Sequence, residues 1–172
     1  MLSKPIRTQL ARFCVGEVDP QTFENWVCED VGIEGELGHG VYLDLVAADY
    51  RGRDVGGARE RCERVLDDHH PGMLKRYRVT RILESMIRGG SALLPGLRQL
   101  VGLYHQGYEF IPIEFVGYET ETDSIPGPQT YHLWDPAALA RVLSESLPYQ
   151  EEIKKDAIAL LEDLRRRYPD DV

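Results

Sequence analysis

The sequence predicts a mostly α protein, a helical bundle-like chain with one short irregular β-hairpin around residues 108–134. Three observations predict it. Apolar residues recur every three or four positions through most of the chain, the period of an amphipathic helix. Asp-Pro occurs at Asp19-Pro20 and Asp135-Pro136, coupling a side chain that caps a helix to a proline whose fixed φ suits the first helical position. Only one stretch, Phe110-Ile111-Pro112-Ile113-Glu114-Phe115-Val116-Gly117-Tyr118, carries the β-branched and aromatic content of a strand.

The elements follow in order. Ile6, Leu10 and Phe13 stand at helical spacing, and Gly16 ends that helix. After Asp19-Pro20, Phe23, Trp26 and Val27 form one apolar face of a second. Gly38 and Gly40 break the chain before the apolar run Val41 to Ala48, read as a buried helix, although pattern alone also admits a strand. Val55, Ala58, Cys62, Val65 and Leu66 stripe a helix from about Asp54 to Asp68, stopped at His69-His70-Pro71-Gly72. A longer helix spans about Leu74 to Ile87. Gly89-Gly90 punctuates, and Ser91 is read as the cap of a helix carrying Leu93, Leu97, Leu100 and Val101 that ends at Gly107.

Residues 108–118 then read as extended, with Pro112 excluding an uninterrupted central strand. Residues 119–130 are rich in turn formers around Ile125-Pro126-Gly127-Pro128, and Tyr131 to Trp134 form a second short extended piece. Asp135-Pro136 opens a further helix that Ser146 to Pro148 interrupts, and a last amphipathic helix runs from about Gln150 to Tyr168. Pro169 to Val172 should fray. The organisation is an all-helical half, 1–70, and a helical half with the hairpin, 73–172, in one compact unit.

Composition narrows the function. Hydrophobic residues make up 42% of the 172, enough for a core. A formal net charge of -9 argues against nonspecific nucleic-acid or anionic-membrane binding, which rewards clustered Lys and Arg. Cys14, Cys28 and Cys62 are odd in number and form no CxxC, which fits buried thiols in a reducing compartment rather than a disulfide framework. The N-terminus lacks the apolar run of a signal peptide, and no window reaches the roughly 20 apolar residues of a membrane span. The expected location is the cytoplasm.

Charge is the main lead. Between Arg98 and Arg141 there is no Lys or Arg, while Glu109, Glu114, Glu119, Glu121, Asp123 and Asp135 all fall there. On an extended strand Glu119, Glu121 and Asp123 would face one side, repel one another and invite a cation or a partner's Lys and Arg. The bland reading is a solvated hairpin edge protected from aggregation by its charge. The spacing is not that of an EF-hand loop. Trp134 reads either as a staple beneath the loop or as an interface anchor. His69-His70 reads as an exposed helix end rather than a metal pair, because adjacent imidazoles on a helix diverge. Lys75, Arg76, Arg78, Arg81 and Arg88 supply a basic counterpart, suited to ion pairs with the acidic loop or to RNA. No strong catalytic motif is present: Gly89-Gly90-Ser91-Ala92 is not a nucleophile elbow.

Two stretches resemble a known class. Phe13, Gly16, Glu17, Phe23, Glu24, Trp26, Val27, Leu37-Gly38, Tyr42-Leu43, Leu45 and Asp49-Tyr50 resemble the N-terminal portion of small bacterial immunity proteins of polymorphic or contact-dependent toxin systems. Residues 82–135, with Gly89, Leu97-Arg98-Gln99-Leu100, Phe115, Glu119-Thr120-Glu121-Thr122-Asp123, Pro126 and Trp134-Asp135-Pro136, resemble a second pattern of such proteins. The resemblance implies a cytoplasmic inhibitor without catalysis or cofactor that binds one cognate toxin. Charge and resemblance together assign Glu119, Glu121, Asp123 and Trp134 to a basic protein partner, with Asp135 and Glu114 in support. The alternatives are a carboxylate-metal-dependent enzyme centred on Glu114, Glu119, Glu121, Asp123 and His132, or a regulatory adaptor using a helical face.

Overall fold

The computed structural model describes residues 2–30, 32–50, 52, 55–169 and 171. The fold is mostly helical, and the described residues contain no strand. The helices are α1 (Lys4–Cys14), α2 (Pro20–Glu29), α3 (Ile33–Leu37), α4 (His39–Val46), α5 (Val55–His69), α6 (Met73–Arg88), α7 (Leu93–His105), α8 (Glu114–Thr122) and α9 (Pro136–Arg167). Short 3-10 turns occupy Gly90–Ala92 and Pro128–Leu133. The chain divides into two compact units, one formed by Met1–Arg78 with Asp170–Val172, the other by Val79–Pro169.

In the first unit, the cap at Asp19 works as its residue type requires. Its carboxylate accepts from the Thr22 N–H at 3.0 Å and the Thr22 hydroxyl at 2.5 Å, which holds the Asp19 carboxyl below its usual range. Gly16 closes α1 with a φ of 80°, a conformation glycine adopts without a side-chain clash. α1 packs on α5, and both helices bury small residues, Ala11 and Cys14 on α1 and Ala58 and Cys62 on α5. The Phe13 ring stacks on Phe23 with centroids 3.9 Å apart, and the Arg59 guanidinium lies 5.5 Å from the Phe13 centroid. Tyr50 completes this aromatic group and donates its hydroxyl to the Leu45 carbonyl at 2.8 Å.

Several expectations for this unit need correction. Val41 to Val46 is helical, with Ala47 and Ala48 in the turn that follows, but only Leu45 is buried, and Leu43 and Val46 are exposed. Cys14 and Cys62 are buried as expected, whereas Cys28 is exposed. Asp54, the expected start of α5, lies outside the described residues, as do Asp170 and Val172 of the expected frayed end. Asp171 is held: Arg76 donates Nε to its carboxylate at 2.7 Å, with both side chains largely buried.

The second unit has its own core of Val79, Leu83 and Met86 from α6, Leu97, Leu100 and Val101 from α7, Phe115 from α8, and Ile153, Ala157 and Leu161 from α9. Gly96 marks a close approach of α7 to α6: a Cβ there would fall 2.3 Å from Met86 Cγ. The N-cap of α7 is Ala92, reached through the Gly90–Ala92 turn, rather than Ser91.

The larger corrections concern residues 108–134 and Pro148. No hairpin forms. Residues 114–122 are α8, and 128–133 form a 3-10 turn. Ile111, Phe115, Tyr118, Thr122 and Ile125 recur at spacings of four, three, four and three, with Tyr118 half-buried and the others buried. That is the period of a helical stripe, and burial along it outweighs the strand preference of the side-chain types. Likewise α9 continues from Pro136 to Arg167 with Pro148 inside it. Proline removes one backbone donor there. Nearby, the Ser146 hydroxyl bonds the Leu143 carbonyl at 2.7 Å and receives Gln150 Nε2 at 2.8 Å. Replacing exposed Pro148 with alanine should therefore raise stability by about 1–3 kcal/mol in chemical denaturation followed by circular dichroism. An unchanged or lower midpoint would show that the proline is accommodated without penalty.

Candidate functional site

The helical register of α8 redistributes the anionic residues. Phe115 and Thr122 point into the core. At 100° per residue the carboxylates cannot share the single side that a strand would have given them. Glu119 and Asp123, four residues apart, lie on one flank of the buried stripe, since Asp123 still has helical angles at the C-cap. Glu114 and Glu121, seven apart, lie on the other. Glu114, Glu121 and Asp123 are exposed and Glu119 is half-buried. Thr122 does not oppose them in solvent: it is buried and bonds the Tyr118 carbonyl at 2.7 Å. Thr120 bonds the Val116 carbonyl at 3.1 Å.

The remaining assigned residues stand just before and at the start of α9. Asp135 is its N-cap and accepts from the Ala138 N–H at 2.9 Å, so its first role is structural. Trp134 closes the 3-10 turn with its backbone N–H on the Tyr131 carbonyl at 3.1 Å. Its side chain is 37% exposed, next to Leu133 at 73%. Ile113, at the start of α8, is 64% exposed. Exposed apolar side chains therefore accompany exposed carboxylates along this stretch.

The structure adds residues that sequence reading missed. Tyr118 donates its hydroxyl to Asp156 Oδ2 on α9 at 2.7 Å. This bond, helped by partial burial and by the charges of Asp156, Glu152 and Glu114, pushes the Tyr118 phenol up to about 12. Glu152 and Asp156 are i, i+4 on α9, so they share a face. Their spacing was visible in the sequence, but their association with Tyr118 was not, because the two segments are joined only by the fold.

The electrostatics are asymmetric. Arg78 pairs with Glu63, Arg81 and Arg165 pair with Glu84, and Arg166 and Arg167 pair with Asp163. Among the described residues, none of Glu109, Glu114, Glu119, Glu121, Asp123 or Asp135 forms an ion pair. Nor does any group of three or more His, Cys, Asp or Glu among the described residues stand together as a metal site, and His132 joins none. The metal-enzyme alternative required a convergence of Glu114, Glu119, Glu121 and Asp123 that the register of α8 prevents. No described helix is long and apolar enough to cross a membrane.

Comparisons of the chain with protein-family models, with curated proteins and with solved structures find no match.

The Tyr118 bond makes a pH prediction. A phenol raised from 10.0 to about 12 contributes stability that is complete below its unfolded value and is lost as pH climbs through that interval. Asp156→Asn should bring the Tyr118 ionisation back towards 10.0, read by ultraviolet difference titration. An ionisation unmoved by the substitution would contradict the assignment.

Proposed function

We propose that this chain is a non-catalytic acidic binding protein that captures a basic protein partner, in the manner of the immunity proteins it resembles, by covering a toxin's cationic surface. The observation that carries the reading is the anionic stretch without internal counter-charge: its carboxylates form no ion pair among the described residues, while Arg78, Arg81 and Arg165 elsewhere in the chain are paired. Carboxylates without an internal counter-charge attract a partner that supplies the opposite charge, and before contact they steer it into place.

The two flanks of α8 supply the field, through Glu114 and Glu121 on one and Glu119 and Asp123 on the other. Trp134, with Leu133 beside it, supplies the apolar anchor that long-lived complexes need at their centre. Asp135 contributes charge while capping α9. On this reading the chain acts in the cytoplasm, without a cofactor, and its specificity lies in the match of shape and charge to one toxin.

The partner to test is the product of the gene immediately upstream. Cells expressing that product should survive when this chain is co-expressed. Trp134→Ala should shorten the life of the complex, weakening it by about 2 kcal/mol with little effect on capture rate. Neutralising Glu114, Glu119, Glu121 and Asp123 together as amides, with Asp135 left to cap its helix, should weaken protection. No protection by the wild type, or full protection by both variants, would reject this function.

A further inference from the structure

A second feature of the Val79–Pro169 unit is independent of the acidic surface. A recess of about 100 Å³ lies between the start of α7, the segment 125–131 and the middle of α9. Leu93, Ile125 and Leu143 give it apolar walls, and Arg98, Gln129 and Tyr131 bring polar groups to its lining. The volume is well under the roughly 300 Å³ at which drug-sized pockets begin. It suits a small ligand and is too small for a peptide segment.

The polar groups are largely unspent. Arg98, an exposed residue of the lining, carries five N–H donors, and its one hydrogen bond among the described residues is a long one, Nη2 to the Ile125 carbonyl at 3.4 Å. Gln129 and Tyr131 make no side-chain hydrogen bond among the described residues. Gln150, also in the lining, commits Nε2 to the Ser146 hydroxyl at 2.8 Å, which leaves its carbonyl oxygen.

Charge selects the ligand. Arg98 is the last cation before Arg141 in the sequence, and it is the one charged residue among the described residues of the lining. One guanidinium balances one negative charge and matches the two oxygens of a carboxylate in geometry. A cation would meet the like charge of Arg98 in the lining, and a neutral apolar molecule leaves the donors unused. We propose that this recess binds a short-chain monocarboxylate, its carboxylate on Arg98 and its apolar end against Leu93, Ile125 and Leu143.

The test is a titration of the full chain, followed by amide ¹H–¹⁵N correlation spectra, with sodium hexanoate, hexan-1-ol and hexylamine as probes. Hexanoate should shift the amides of residues 90–98 and 125–131, and hexan-1-ol and hexylamine should bind at least about tenfold more weakly. Arg98→Gln should reduce hexanoate affinity to that of the alcohol, and Leu143→Trp, which fills the recess, should abolish both. The comparison of hexanoate with hexan-1-ol on the wild-type chain decides the matter even if a variant folds poorly. Equal binding of acid and alcohol, hexanoate shifts confined to other residues, or no shifts would each overturn the proposal.

Discussion

Phe115 is fully buried, and its burial decides where the carboxylates of the anionic stretch go. With Ile111, Thr122 and Ile125 it forms a stripe that only a helix can turn to one side. Once that stripe is seated against its neighbours in the core, Glu114 and Glu121 are fixed on one flank and Glu119 and Asp123 on the other. A strand in the same place would have gathered Glu119, Glu121 and Asp123 on one edge. The helix spreads the charge across two flanks instead, which disfavours a compact cation site and favours a broad field suited to a protein surface.

The distribution of ion pairs reinforces this. Glu84 takes two arginines and Asp163 takes two more, so at these two carboxylates the helical framework supplies its own counter-charge. Such exposed pairs add little stability individually. Their importance here is that they occupy cations, whereas the stretch between Arg98 and Arg141 has none of its own. Tyr118 shows the local consequence: its phenol stays protonated far up the pH scale because it donates to Asp156 and sits near Glu152 and Glu114.

Much of the helical layout was legible in the sequence, and the failures have identifiable causes. Asp19-Pro20 and Asp135-Pro136 marked two helix starts because capping chemistry is local. The stripes of α5, α6 and α7 were readable because their apolar residues keep one period. α8 was misread because Phe, Ile, Val, Tyr and Thr suggested a strand, while the four-three spacing from Ile111 to Ile125 carried the correct answer. Pro148 was read as a break because a proline inside a helix is costly in isolation, yet the surrounding turns of α9 retain their hydrogen bonds. Of the assigned site, Glu114, Glu121, Asp123 and Trp134 are exposed, and their relative placement depended on the helix. The Tyr118–Asp156 bond and the recess at Arg98 depend on segments distant in the chain and had no local signature.

The central claim is that unpaired carboxylates on the flanks of α8 draw in a cationic protein. The most direct measurement is the association rate between the purified chain and the product of the upstream gene, followed by stopped flow across a range of salt concentrations. The account predicts a rate that falls about tenfold or more from low to physiological ionic strength, with a much flatter dependence when the α8 carboxylates are neutralised. A rate independent of salt, or one that neutralisation leaves unchanged, would contradict it.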